Sequence, residues 1–333
     1  MSKLRKVDAN ERELNICMRK CHIGPLPPPL GGISVYLYRL QKLKPDDRYV
    51  NSVGLRKIEF LKLLCQKREV VVLHDNNIKR LTAAYFFSLF LGLQYSFVVH
   101  SAGVFRKKTW ISWHFLRKSL QRAISIQFVS QRLQDRMKEL FPEVVKHSFV
   151  QHAFLPPPLE DENKIYDTYK PELLAFIKRC SPLLVANASK LVFWEDGNEV
   201  YGLDMCVELV QRLKSKYPCI GLVFALADDS GESDYFRMIE KKIAENNLDE
   251  NIFFMIGQRE LWPLFRQADL MIRPTCTDGD ALSIREARYF NVPTLSSDVA
   301  PRPDGTIVFN NRDMNDFYEK ASEILSQKDF LLS

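Results

Sequence analysis

Hydrophobic and polar positions fall into two successive blocks, each mixing short apolar runs with segments of helical spacing. In the first block, Ile16 to Cys21, Val70 to His74 and Phe97 to His100 predict strands, and Gln131 to Phe141 predicts a helix. The second block predicts strands over Leu183 to Ala186, Ile220 to Leu226, Ile252 to Ile256, Leu270 to Arg273, Thr294 to Ser296 and Ile307 to Phe309. Helical spacing covers Asp204 to Lys216, Asp234 to Asn246, Leu261 to Ala268 and Ile284 to Phe290. Such alternation gives parallel sheets covered on both faces. The halves share an architecture without a sequence repeat, and the prolines and acids of Val150 to Asn163 read as a linker. The division is therefore expected as 1–152 and 153–333.

One apolar stretch needs a decision. From Leu81 to Val99 the chain carries no formal charge, a length sufficient to cross a bilayer. Gly92 and Gln94 split it into a helical part and a strand from Tyr95 to Val99, which is what an α/β core needs.

A chain of 333 residues, 46% hydrophobic and 26% charged, suits two packed domains and excludes a disordered or fibrous protein. Seven scattered cysteines without a Cys-x-x-Cys point to a reducing compartment and to neither a disulfide framework nor a zinc site. The polar amino terminus has no secretory signal, so a cytoplasmic location is expected. Part of the net charge of +6 gathers between Arg106 and Arg122, where basic residues alternate with Trp110, Trp113 and Phe115. That pattern fits contact of residues 105–122 with an anionic membrane surface, and equally an amphipathic helix packing its aromatics inward. No nucleic-acid motif accompanies it, and no nucleic-acid partner is expected.

The chemistry concentrates in Thr277 to Asp298, TDGDALSIREARYFNVPTLSSD, an acidic glycine loop between a strand and a helix. Such a loop lies at the carboxyl ends of a parallel sheet, where a helix start attracts anions. Asp278 and Glu286 beside it suit hydrogen bonds from the hydroxyls of a sugar or ribose. The plainer reading is that Ser283 and Glu286 form a capping box and need no ligand. Upstream, the proline-rich loop ends at Gly31 and Gly32 before a helix, where a phosphate can approach the backbone closely. His74 and His100 stand at strand ends that converge if the sheet is parallel.

The segments GPLPPPLGGISV, FVVHSAG, FVSQRLQDRM, VQHAFLPP, NASKLVFWEDGNEVYGLD, MIGQRELWPLFRQADLMIRPT and TDGDALSIREA together resemble glycosyltransferase family 4, over about Gly24 to Phe309. The resemblance implies an α/β, GT-B fold of two Rossmann-like doubly wound parallel-sheet domains facing a cleft, an acceptor-side domain first and a donor domain second. It implies a retaining transfer from a nucleotide diphosphate sugar to an acceptor hydroxyl, with a saccharide or lipid-linked acceptor in surface-polysaccharide synthesis. No metal, no covalent nucleophile and no cofactor beyond the nucleotide co-substrate are expected.

In that family a Glu-x7-Glu motif marks the donor site. Here Glu286 would hold the ribose, and Asp278, a methylene shorter than the family's glutamate, would contact the sugar. Backbone around Gly279, Asp280, Ala281 and Leu282 would reach the sugar and phosphates. Lys190 would stabilise the diphosphate, His100 would orient sugar or acceptor, Gly31 and Gly32 match the family's glycine pair, and the base would lie near Gly257 and Gln258. Tyr201 stands where a second phosphate-binding lysine is usual, leaving Arg273, Arg285 and Arg302 as candidates to compensate. The alternatives are a nucleotide-sugar 2-epimerase of the same fold and a catalytically silent binding subunit.

Overall fold

The computed structural model describes residues 19–65, 69–105, 109–279 and 281–332, in two compact units, Met1–Leu155 and Pro156–Ser333. Ile16 to Met18, at the start of the first expected strand, lie outside the described residues, as do Cys17, Arg106, Lys107, Lys108 and Asp280.

The first unit is a parallel sheet of β1 Lys20–Gly24, β2 Arg48–Asn51, β3 Val70–Leu73, β4 Tyr95–Val99, β5 Ser125–Phe128 and β6 Ser148–Val150, in the order β2-β1-β3-β4-β5-β6. The β1 strand is a correction of register. The strand expected to end at Cys21 runs on through His22, Ile23 and Gly24, and His22 and Ile23 are buried in it. The run from Leu81 to Val99 divides as expected: helix Ile78–Leu91 is capped at Asn77, which accepts from the Lys79 and Arg80 amides at 3.1 and 3.4 Å. It stops at Gly92, whose φ of 69° is the left-handed conformation that glycine adopts without a Cβ penalty. No helix of the described residues is long and apolar enough to cross a membrane. Helix Trp110–Arg122 divides its aromatics. Trp113 packs on the core and Phe115 meets Phe86 at a tilt with centroids 5.5 Å apart, while Trp110 and Ile111 face outward.

The second unit has β7 Leu183–Lys190, β8 Gly221–Asp228, β9 Ile252–Ile256, β10 Leu270–Arg273, β11 Thr294–Ser297 and β12 Ile307–Phe309, all parallel, in the order β12-β11-β10-β7-β8-β9. One face packs on helices Leu203–Leu213 and Met314–Leu332 through Leu209, Val210, Phe317 and Leu325, and the other on Phe176, Trp262, Phe265 and Ile284. Strand order reverses between β7 and β10, so the connections from those two strands run to opposite faces and leave a crevice at their carboxyl ends. The six described cysteines are free.

Candidate functional site

The described residues expected on the donor side lie at the carboxyl ends of the second sheet's strands or in the connections that follow them. Lys190 is the last residue of β7. Its ammonium reaches Ser230 Oγ at 2.9 Å and Asp228 Oδ2 at 3.5 Å, both from the end of β8 or just past it, and its side chain is 41% exposed. A half-exposed lysine held by one hydroxyl and one solvated carboxylate can exchange those partners for an anion at little cost.

Across the switch point the geometry departs from expectation. Asp278 was read as an acceptor for sugar hydroxyls, yet its carboxylate is already engaged on both oxygens. Oδ2 accepts from Arg273 Nε and from Arg302 Nη1, each at 2.7 Å, and from Thr275 Oγ1 at 3.4 Å. Oδ1 accepts from Arg273 Nη2 at 3.1 Å and from the Gly279 amide at 2.9 Å. A carboxylate offers about four lone-pair sites, so little capacity is left for a ligand. Burial raises the Asp278 carboxyl, but the two guanidiniums outweigh it and hold it at about 2. Both arginines are buried with it, their side chains 9% and 3% exposed. Two guanidiniums thus share this one carboxylate.

Arg273 also spans the crevice. Its Nη1 donates to the Asn187 side-chain oxygen at 3.3 Å on β7, and its guanidinium lies 5.6 Å from the centroid of the Tyr201 ring. Tyr201 in turn shares a 2.5 Å hydrogen bond with Ser189. The position that lacks the family's usual lysine therefore has a guanidinium over it, delivered from the facing strand. The turn beside it is tight: Gly202 has φ of 68°, and a Cβ there would meet the Pro274 carbonyl oxygen at 2.2 Å. Buried Glu199 caps the following helix, accepting from the Tyr201 and Leu203 amides at 3.0 and 3.1 Å.

The plainer reading of Ser283 and Glu286 does not hold. Helix Leu282–Tyr289 begins after Ala281 as N-cap, with no side-chain cap bond, and Ser283 is buried inside it. Glu286 is thereby in the second helical turn rather than the first, 4% exposed, close enough to Tyr169 to help raise that phenol, after burial and Tyr166 and Glu260. Gly279 is exposed, and Gly257 after β9 has φ of 102°, with Gln258 exposed beside it.

In the first unit, Gly31 is the extended N-cap of helix Gly32–Leu43 and both glycines are exposed. A Cβ on Gly32 would meet nothing within 4 Å, so the face is open. At the strand ends the structure adds what the sequence did not show: His22 Nδ1 lies 2.9 Å from His74 Nε2, and His74 Nδ1 lies 3.1 Å from His100 Nε2. Burial pushes His22 and His100 down to about 4, and His74 well below its ordinary value. All three are neutral at pH 7. An unfolded histidine titrates near 6.5, so between 6.5 and 4 the unfolded chain binds more protons. The stability these groups contribute is whole above pH 6.5 and falls as pH drops through that window. For His22 alone the loss should reach about 3 kcal/mol by pH 4. Urea unfolding of the chain at pH 7 and at pH 4 to 5 checks this; a stability flat over that range would contradict the buried neutral imidazoles.

Residues 181–329 match the family model described as Glycosyl transferases group 1, within the second unit. No curated protein sequence gives a significant match. Among solved structures, Anabaena Alr3699/HepE in complex with UDP aligns over 93% of this chain and 91% of its own, at 12% identity and a TM-score of 0.64. A glycosyltransferase from Rickettsia africae ESF-5 aligns over 92% and 88%, at 12% identity and 0.64. The sucrose-phosphate synthase tll1590 of Thermosynechococcus elongatus aligns over 92% and 90%, at 14% identity and 0.55. Likeness at such identities establishes architecture rather than activity. The fold is GT-B, two Rossmann-like units each built on a six-stranded parallel sheet.

Proposed function

We propose that the protein is a retaining glycosyltransferase that moves a sugar from a nucleoside diphosphate sugar to an acceptor hydroxyl. The acceptor we favour is a lipid-linked saccharide of surface-polysaccharide synthesis. One observation carries the reading. The group 1 glycosyl transferase match falls on the unit whose switch point gathers Lys190, two buried arginines held on one carboxylate and a helix start without a side-chain cap.

As the glycosidic bond breaks, charge accumulates on the leaving diphosphate, and preorganised cations and N–H groups are worth most there. Lys190, Arg273 and the backbone amides of Ala281 and Leu282 are the groups we assign to it, with Gly279 lending an exposed, side-chain-free approach and Asp280 lying outside the described residues. Asp278 then holds the arginines in place rather than the sugar. Glu286 is assigned to the ribose, Gly257 and Gln258 to the base, Gly31 and Gly32 to the approach of sugar or phosphate, and His100 to a sugar or acceptor hydroxyl. No covalent nucleophile and no metal enter this scheme, so transfer should survive chelation.

The relative bound to UDP, and another complex of the same protein with UDP-glucose, put uridine donors first in a thermal-shift panel of nucleotide sugars. A selective rise in melting temperature supports the reading, and no response to any nucleotide sinks it. Product formed from donor alone would instead favour an epimerase. Glu286→Ala should weaken donor affinity about 10- to 100-fold, the scale of a charge-assisted hydrogen-bond pair; unaltered affinity in a calorimetric titration would remove Glu286 from the ribose.

We place the membrane contact of residues 105–122 on exposed Trp110 and Ile111, with Phe90, 78% exposed, and the neighbouring Arg117 and Lys118. Co-sedimentation with anionic vesicles should be lost in a Phe90→Ser, Trp110→Ser double variant. Equal sedimentation of the two proteins would contradict it.

A further inference from the structure

Asp47, His22, His74 and His100 form a single line through the first unit. The register explains why. His22 in β1 pairs with Val72 in β3, so His74, two residues on, shares its face one pleat higher; by the same step His100 lies one pleat beyond Val98. The imidazoles therefore climb diagonally from the middle of β1 to the end of β4. Gly24 makes room for the second of them, since a Cβ there would lie 2.8 Å from His74 Cβ. Tyr49 stacks on His22 at 5.0 Å, and Tyr36 sets its ring at 5.4 Å from His100, edge to face. At the lower end Asp47 Oδ2 lies 3.4 Å from His22 Nε2, close enough to act on it by charge though not in hydrogen-bond geometry, while Asp47 Oδ1 accepts the Lys20 amide at 2.9 Å.

Each nitrogen-to-nitrogen contact needs one proton, so three neutral rings allow two consistent arrangements. In one, every proton points toward His100, and a bare His22 Nε2 confronts the Asp47 carboxylate. In the other, His22 Nε2–H points at Asp47, His74 donates from Nε2 to His22, and His100 donates from Nε2 to His74. The carboxylate selects the second, because lone pair against anion is repulsive in a site screened from water.

We propose that Asp47, His22 and His74 are positioning residues that fix His100 in one tautomer, its proton on Nε2 and its Nδ1 lone pair presented to accept a ligand hydroxyl. His100 is partly exposed, and its Nδ1 has no polar partner among the described residues. The identity of that hydroxyl, on sugar or acceptor, rests on the proposed function; the tautomer does not. An orienting carboxylate that sets an imidazole's tautomer without touching the reacting atoms is an established device, and its amide variant leaves the ring in place but in the wrong tautomer.

The test uses the full chain with nitrogen-15-labelled histidine. A long-range proton–nitrogen correlation spectrum at pH 7 reports which nitrogen of each imidazole is protonated, with His114, His147 and His152 identified by single His→Gln variants. The proposal expects the Nε2–H form at His22, His74 and His100, and an altered pattern at all three, including distant His100, in Asp47→Asn. The Nδ1–H form at His100 in the unaltered protein overturns it, whether or not the variant folds, and so does a His100 signal indifferent to Asp47→Asn. The kinetic arm expects kcat for sugar transfer to fall about 10- to 100-fold in Asp47→Asn with donor KM within about twofold. An unchanged kcat overturns the positioning role. If the unaltered protein neither binds nor turns over any nucleotide sugar, the proposed function fails and the spectrum still decides the histidine series.

Discussion

Asp278→Ala is expected to destabilise the second unit by about 3–5 kcal/mol, the scale on which removing one partner of a buried ion pair is felt. The carboxylate is the shared acceptor of Arg273 and Arg302, with the Gly279 amide and Thr275 hydroxyl completing its shell. Alanine removes the carboxylate that the two desolvated guanidiniums share. Asp278→Asn should recover only part of the loss, because an amide keeps one acceptor and carries no charge. Urea unfolding followed by near-ultraviolet circular dichroism measures both. A cost below about 1 kcal/mol for alanine would mean that solvent reaches the cluster, and the carboxylate would again be available to a sugar.

Lys190→Ala is expected to act in the opposite sense, leaving stability within about 1 kcal/mol and reducing kcat about 10²- to 10³-fold. Its partners in the free protein, Ser230 and Asp228, form an exposed pair of the kind that contributes little to folding. What the lysine stabilises on this account is charge that appears only as the leaving group departs. Nucleotide affinity should therefore fall less than the rate. A variant that turns over at the original rate would transfer the diphosphate contact to Arg273 and Arg302 alone.

The strands that could be read directly from the sequence are those carried by a short apolar run between polar turns, whether central or at an edge of the sheet. Ile252–Ile256, Leu270–Arg273 and Ile307–Phe309 coincide with their apolar runs residue for residue. Arg48–Asn51, Ser125–Phe128 and Ser148–Val150 gave no such signal, because each is three or four residues with polar letters in it. Helix Met314–Leu332, which packs Phe317 and Leu325 on the second sheet, starts after the polar turn Asn310 to Asp313, where Asp313 accepts from the Asn315 and Asp316 amides at 3.0 Å.

The candidate site divides the same way. The loop at Thr277 was legible because strand, acidic turn and helix are contiguous in sequence. That Arg302 shares Asp278 with Arg273 was not, since it arrives from 24 residues downstream by way of another strand. Tyr201 could be read as a missing lysine, but the guanidinium above it comes from β10, and only the strand order puts it there. The histidine line is the clearest case. His22, His74 and His100 are 52 and 26 residues apart, and their common face depends on register, which no local pattern encodes.

The central claim is that the carboxyl edge of the second sheet grips a diphosphate. Calorimetric titration of the full chain with UDP, UMP and uridine tests it most directly. The account predicts that UDP binds at least about tenfold more tightly than uridine, with the gap narrowing in Lys190→Ala and closing further when Arg273 is also replaced. Equal affinities for UDP and uridine, or a preference for UDP untouched by both substitutions, would contradict it.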